Sequence, residues 1–344
     1  MAVIQIGGVT VGDQGNNHFA VVGLLAVGLE GNDRIYSAAA LGGHVIEGNA
    51  GADNIFFGGS ASGSLYGGEG NDLVSGADGQ DALYGGEGDD WLDGNWQSET
   101  TSDDDALYGG GGRDALFGRG GDDVIYGGAG DESGQIFTAS PDTYEDNLVD
   151  FATLAGLYGG AGNDYLDGGA GDDWIEGGTG NDEAHGGSGI DTIAGDAGDD
   201  LLFGGSGNDV LRGGDGKDVI DGGAGDDAIA GGLGVDILQG GAGADQFYFL
   251  EAPGQANADV IRDFSRKEGD KIMLLSSVFD AIGTSLDRKE FVKGGKAKDG
   301  NDFILYKKGK LFYDEDGKGG AAKVLIATLD KSVKLSHADF DIAT

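Results

Sequence analysis

Ten consecutive nonapeptides of the form G-G-x-G-x-D-x-U-x, with U apolar, run in register from Gly159 to Tyr248. A period of nine with one carboxylate and three glycines per unit reads as one step in a stack of short extended segments and tight turns. Aspartate holds the sixth slot at Asp164, Asp173, Asp182, Asp191, Asp200, Asp209, Asp218, Asp227, Asp236 and Asp245. An apolar residue holds the eighth, from Leu166 and Ile175 through Leu238 and Phe247.

Two nonapeptides make one coil of eighteen residues. The sequence predicts about six residues of turn, G-G-x-G-x-D, and three of strand, x-U-x, per unit. Alternate strand side chains face opposite ways, so U points inward and its neighbours outward. The expected fold is all-β: a parallel β-roll, a form of β-solenoid, with one apolar ladder per sheet. Such a core is thin. Each large buried aliphatic side chain contributes about 1.5–3 kcal/mol. Ordering each backbone residue costs about 1–2 kcal/mol, and glycine more. Packing alone loses that comparison.

Charge makes the deficit worse. Residues 1–244 carry 44 acidic and 5 basic side chains, a net of −39, whereas residues 245–344 net only −1. Stacking the coils sets like charges one above another, about 4.8 Å apart. Something cationic has to sit among them. Calcium fits: it takes six to eight oxygen ligands, mixing carboxylates with carbonyls. Glycine turns aim their carbonyls at a shared point. Magnesium fits poorly, because it demands octahedral geometry and retains water. Zinc and copper want nitrogen or sulfur donors. The sixth-slot aspartates fall into two calcium ladders, one from Asp164 to Asp236 and one from Asp173 to Asp245. Asp89, Asp122, Asp172, Asp199 and Asp226, in the fifth slot, read as surface residues, since asparagine, alanine and lysine also occur there.

Earlier units are less regular. Asp33 and Asp53 fit the aspartate slot, Gly63 replaces it in the next unit and weakens a site there, and Asp72, Asp81 and Asp90 come next in three well-formed units. The pattern resumes after an insertion near 95–104 with Asp105, Asp114 and Asp123, then breaks at 131–156. The insertions, with Trp96, Phe137, Pro141, Tyr144 and Phe151, are expected to bulge as loops and to be the places for any partner-specific function. The expected organisation is an N-terminal cap over 1–27, a first roll section over 28–130, an insertion loop over 131–156, the main roll over 157–248, and a β-rich capping module over 249–344. In that module Asp259–Phe264, Lys271–Leu275, Phe303–Tyr306, Leu311–Tyr313 and Lys323–Leu329 read as strands, with a Lys-Lys-Gly hairpin turn.

The repeats over about 28–93 and 105–248 resemble the RTX, or haemolysin-type, calcium-binding repeat family. Residues 243–344 are similar to the C-terminal module of RTX proteases, on the stretches G-A-D-Q-F-Y-F, D-V-I-R-D-F, G-D-K-I, D-E-D-G-K-G and S-H-A-D-F-D-I-A-T. The resemblance implies a C-terminal, uncleaved type I secretion signal, the type I machinery as a partner, and an extracellular or cell-surface location. It also implies calcium held by the repeat aspartates and the glycine-turn carbonyls. A chain without cysteine, and without a basic-then-apolar leader after Met1, is compatible with that route. A cytoplasmic protein is the plainer alternative.

Catalytic signatures are missing from the sequence. There is no H-E-x-x-H or G-x-S-x-G, and the histidines are His18, His44, His185 and His337. His185 occupies an outward repeat position and reads as a surface side chain. The G-G-x-G strings lack the strand-to-helix setting of a dinucleotide loop. No basic stripe exists for nucleic acid, and the apolar run at Phe19–Leu29 is too short to span a bilayer. The expected function is therefore a secreted, non-enzymatic calcium-binding protein with a structural, adhesive or assembly role, acting through self-association or an extracellular polysaccharide. One alternative is a carbohydrate-binding or targeting module, in which Trp91, Trp96, Trp174, Tyr84, Tyr108, Tyr158 and Tyr165 form a sugar-stacking strip. The other is the C-terminal part of a longer protease or lipase, which the cap-like beginning at Met1 disfavours.

Overall fold

The computed structural model describes residues 4–6, 9–11, 18–21, 25–27, 31–37, 44–58, 62–95, 103–129, 156–294, 296–297, 300–318 and 323–343. The expected loop residues Trp96, Phe137, Pro141, Tyr144 and Phe151 lie outside these. The chain divides into two compact units, Met1–Gly186 and Gly187–Thr344.

In the first unit, alternate strands stack in parallel into two sheets. One runs through Leu25–Val27, His44–Ala50, Gly63–Glu69, Ala82–Glu87, Ala106–Gly111, Val124–Ala129 and Tyr165–Ala170. The other runs through His18–Val21, Arg34–Ser37, Asn54–Phe57, Leu73–Ser75, Trp91–Asp93, Ala115–Gly120, Gly156–Ala161 and Trp174–Thr179. An antiparallel pair, Ile4–Ile6 with Val9–Val11, begins the chain. The fold is the parallel β-roll expected from the repeat, with eighth-slot residues such as Leu65, Leu83, Leu107, Ile125 and Leu166 fully buried.

Regular strands are longer than the sequence predicts. Ala82–Glu87 and Tyr165–Ala170 each hold six residues, x-U-x-G-G-x, and they alternate inward and outward throughout. The pleat continues across both glycines, so the first glycine faces inward beside U. In the strand Gly63–Glu69 the second glycine, Gly68, has φ +127° and approaches the Asn49 carbonyl of the preceding coil, where a β-carbon would collide. Only the remaining three residues make the turn.

In the second unit the same stacking runs through Leu201–Ser206, Val219–Ala224 and Ile237–Ala242 in one sheet. The other carries Thr192–Ala197, Val210–Gly216, Ala228–Gly234 and Gln246–Phe249. The roll then continues past the last repeat. Asp259–Ile261 pairs in parallel with Ile237–Ala242, and Lys271–Leu275 with Gln246–Phe249. Val324–Thr328 and Phe340–Ala343 are added in parallel outside these two. Ile304–Lys307 and Lys310–Tyr313 form the expected hairpin around Lys308 and Gly309. Leu238 and Phe247 lie fully buried beneath this module.

Candidate metal ladders

Every sixth-slot aspartate expected to hold metal is buried, from Asp33 at 2% exposure to Asp245 at 1%. Burying so many carboxylates demands partners. In most of them one oxygen accepts the backbone N–H of the aspartate one coil earlier. The Asp72 N–H donates to Asp90 Oδ1 at 2.8 Å, Asp105 to Asp123 Oδ1 at 2.7 Å, Asp164 to Asp182 Oδ1 at 2.8 Å, and Asp200 to Asp218 Oδ1 at 2.9 Å. The other oxygen is not satisfied. Among the described residues, Oδ2 of Asp53, Asp72, Asp90, Asp114, Asp123, Asp164, Asp218 and Asp227 is buried with no hydrogen-bond donor.

The first glycine of each unit shows what those oxygens face. A β-carbon built on Gly85 would strike Asp90 Oδ2 and sit 2.6 Å from the Gly109 carbonyl oxygen of the next coil. At Gly159 the same place is flanked by Asp164 Oδ2 and the Gly177 carbonyl. At Gly213 it is flanked by Asp218 Oδ2 and the Gly231 carbonyl, and at Gly222 by Asp227 Oδ2 and the Gly240 carbonyl. The missing side chain leaves a cradle between a carboxylate of one coil and a carbonyl of the next. No group of three or more His, Cys, Asp or Glu side chains converges among the described residues. Main-chain carbonyls must therefore supply much of any coordination shell, and an all-oxygen donor set of this kind suits calcium.

Titration behaviour reflects the burial. Burial pushes the Asp72, Asp105, Asp114 and Asp164 carboxyls up to about 8. The accepted backbone hydrogen bond opposes the shift, and repulsion from neighbouring aspartates adds to it. Asp218 rises to about 7 and Asp227 to about 6 for the same leading reason. At neutral pH the ladders therefore need protons or cations.

The site at Asp81 departs from the others. Ala77 stands in the second glycine slot, and its N–H donates to Asp81 Oδ2 at 3.1 Å, while Asp81 Oδ1 accepts from Gly63 at 2.7 Å. Gly63 supplies the N–H of the missing aspartate but no carboxylate. Asp105 closes its cradle across the insertion, with Oδ2 and the Gly118 carbonyl flanking Gly94.

Fifth-slot residues, expected at the surface, are indeed outside the cradles but form a second ladder running the opposite way. Asp122 Oδ1 accepts the Asn163 N–H at 2.8 Å, Asp199 Oδ1 the Lys217 N–H at 2.9 Å, and Asp226 Oδ1 the Ala244 N–H at 2.8 Å. Asp89 Oδ1 accepts from Arg113 at 3.1 Å. A neutral amide serves equally, since Asn163 Oδ1 accepts the Asn181 N–H at 2.8 Å. That explains why Asn and Asp interchange in this slot.

Sequence reading missed Asp259 and Asp270. Both are buried, and their Oδ1 atoms accept the Asp236 and Asp245 N–H groups at 3.2 and 3.3 Å, as sixth-slot aspartates do. The surviving signal was D-x-U alone, in Asp259-Val260-Ile261 and Asp270-Lys271-Ile272, with the glycines lost. Arg119 was also unforeseen. It occupies a second-glycine slot at φ +84°, lies over the Phe117 ring, and its Nε donates to Asp93 Oδ1 at 3.1 Å.

The aromatic strip is packed upon itself. Tyr66, Tyr84, Tyr108 and Tyr126 stack in sequence with centroids 4.5, 4.8 and 5.2 Å apart and nearly parallel rings. Phe117 stacks on Tyr158 at 4.9 Å. His185 is half-buried against Tyr165 and hydrogen-bonds Glu183 at 2.9 Å.

Comparison with known proteins agrees with this geometry. The RTX calcium-binding nonapeptide repeat (4 copies) matches residues 66–98, 99–131, 157–184, 185–220 and 212–247. RTX nonapeptide repeats bind multiple calcium ions. No curated protein matches the chain. Among solved structures, the extracellular lipase LipA from Serratia marcescens is similar at 18% identity, covering 82% of this chain and 40% of that one, with a TM-score of 0.16. The chain thus spans two fifths of that structure's length, and a likeness at this level bears on neither mechanism nor activity.

Proposed function

We propose, on the premise that this repeat array belongs to the RTX calcium-binding nonapeptide repeat family, that the chain is a secreted calcium-binding protein whose array folds as it loads calcium outside the cell. The observation that carries this reading is the column of buried Oδ2 atoms, each set across a side-chain-free cradle from a glycine carbonyl. Asp53, Asp72, Asp90, Asp114, Asp123, Asp164, Asp218 and Asp227 are the leading ligands. Asp33, Asp105, Asp173, Asp182, Asp191, Asp200, Asp209, Asp236 and Asp245 occupy equivalent slots, and Asp81 is the weakest candidate. Calcium bound there neutralises the stacked carboxylates and ties successive coils together, which the thin core does not do alone.

The role is structural, adhesive or assembly-forming rather than enzymatic, with calcium as the trigger. The type I machinery is the export route that fits such a chain. A polysaccharide platform on the tyrosine strip is the weaker reading, because the ring faces that would stack on sugar are already stacked on each other. The test is calorimetric titration of metal-stripped protein with calcium and magnesium, paired with fractionation of cells expressing the chain beside a type I exporter. Many calcium equivalents, weak magnesium response and protein in the medium support the proposal. Absence of calcium binding removes it.

A further inference from the structure

One cluster of charge stands against the rest of the chain. Residues 1–244 net −39, yet the segments 291–294, 304–313 and 328–334 hold six lysines and one acid, Asp330. The fold draws these segments together. Ile304–Lys307 and Lys310–Tyr313 pair as a hairpin, with Lys307 directly opposite Lys310. Phe291–Lys293 runs parallel alongside and sets Lys293 level with Tyr306. The Leu329 N–H donates to the Gly309 carbonyl at 2.7 Å, and the Tyr306 hydroxyl donates to the Val333 carbonyl at 2.8 Å. Lys293, Lys307, Lys308, Lys310, Lys331 and Lys334 are thereby gathered at one end of a small sheet, all of them exposed.

The chain does not neutralise them. Among the described residues, none of the six forms an ion pair. Asp330 Oδ1 accepts the Ser332 N–H at 2.7 Å, and its bonds to Ser332 outweigh Lys331 in holding its carboxyl below the usual value. Like charges directly opposite, as at Lys307 and Lys310, destabilise a strand pair. The turn is costly as well. Lys308 has φ +52° and Gly309 φ +81°, a geometry that favours asparagine or aspartate before the glycine. Local strain of this kind persists where the side chain has a use.

We propose that this lysine cluster is a docking surface for an anionic polysaccharide, a chain bearing sulfate, phosphate or carboxylate groups. Charge complementarity selects a polyanion. Lysine presents point charges without the planar fork that fixes one geometry, which suits anionic groups spaced along a flexible chain. No exposed large apolar side chain lies in the three segments to enter a bilayer. Tyr306 is buried, so it offers no ring face for a nucleic-acid base. The roll of a second copy is a poorer match, because its stacked carboxylates are buried in the ladders. The inference rests on the adhesive reading proposed above and supplies its partner class.

The test is surface plasmon resonance of the whole chain, in calcium, over immobilised dextran sulfate and dextran. Three proteins are compared: wild type, Lys308→Asn with Lys310→Gln, and Arg212→Gln with Lys217→Gln. Each pair removes two positive charges, and Arg212 and Lys217 are exposed on the repeats. Asparagine tolerates positive φ, so the first pair is expected to fold at least as well as wild type. Wild type is expected to bind dextran sulfate and not dextran, more weakly as salt rises. The first pair is expected to bind roughly tenfold more weakly, and the second to match wild type. No binding by wild type, equal loss in both pairs, or equal binding to dextran overturns the site. Tighter binding to phosphatidylglycerol vesicles than to dextran sulfate overturns the polysaccharide assignment. So does self-association in sedimentation that the first pair abolishes. Calcium calorimetry on the same samples reads the loading proposal separately.

Discussion

The backbone N–H of Asp72 donates to Oδ1 of Asp90, 2.8 Å away and one full coil further along the chain, while Asp90 Oδ2 is left buried without a donor. One carboxylate therefore does two jobs. It locks the register between coils, and its second oxygen is the one proposed to hold an ion.

Removing that carboxylate removes both. Asp90→Ala leaves the Asp72 N–H buried without its acceptor, costing about 1–3 kcal/mol, and deletes a proposed metal oxygen. Asp89→Asn, one residue earlier, keeps the oxygen that accepts the Arg113 N–H. D90A is expected to bind at least one calcium fewer and to melt lower than wild type in calcium, with D89N close to wild type. Equal losses by calorimetry in the two variants would place the ligands wrongly.

The cradle can be filled directly. Gly85→Ala puts a methyl group against Asp90 Oδ2 and 2.6 Å from the Gly109 carbonyl oxygen, both held by the sheet. Overpacking of this kind costs about 1–3 kcal/mol. Gly111→Ala meets only the flexible end of Glu87, at 3.2 Å. G85A is expected to lose an ion and stability and G111A to retain both; scanning calorimetry at fixed free calcium distinguishes them.

Acid should partly replace calcium. The folded-state values of Asp72, Asp114 and Asp218, about 8, 8 and 7, lie above the ordinary 3.8. Groups raised in the folded state contribute stability that is fully present below the unfolded value and is lost as pH rises through the folded one. Metal-free protein should therefore be more structured near pH 5 than near pH 8.5. Calcium affinity should run the other way, weakening toward pH 5 as protons compete. Melting curves in chelator and in calcium at both pH values check the two signs; metal-free stability that rises with pH would contradict the burial of these carboxylates.

Much of this was legible in the sequence because the repeat states it directly. The register of Asp164 with Asp182, the inward Leu166 and the hairpin around Gly309 all come from spacing and alternation. The illegible part depends on contacts between coils. Six-residue strands arise because the glycines stay in the pleat, and the fifth-slot ladder appears only when Asp122 is set beside Asn163. Asp259 and Asp270 were hidden by spacings of 23 and 25 residues from Asp236 and Asp245 in place of eighteen. Ala77, a small change on paper, redirects an N–H onto Asp81.

The last strand packs on the module that follows the repeats, and its proposed export role can be tested apart from that packing. Phe340–Ala343 pairs with Lys271–Leu275, Arg266 Nε contacts Asp339 Oδ1 at 2.7 Å, and Leu335 and Phe340 are buried. Deleting residues 335–344 strips two buried apolar side chains, each worth about 1.5–3 kcal/mol. The expected outcome is a lower melting temperature in calcium, with repeat-region structure retained, and loss of export through a type I system. Undiminished export would remove the secretion assignment and leave the capping role standing.

The central claim is that calcium, rather than the apolar core, holds the roll together. Far-ultraviolet circular dichroism of chelator-stripped protein at neutral pH, titrated with calcium, tests it most directly. The account predicts a largely unordered spectrum without metal and a cooperative transition to β structure as free calcium rises, with magnesium ineffective at the same concentrations. A full β spectrum in chelator, unchanged by calcium, would contradict it.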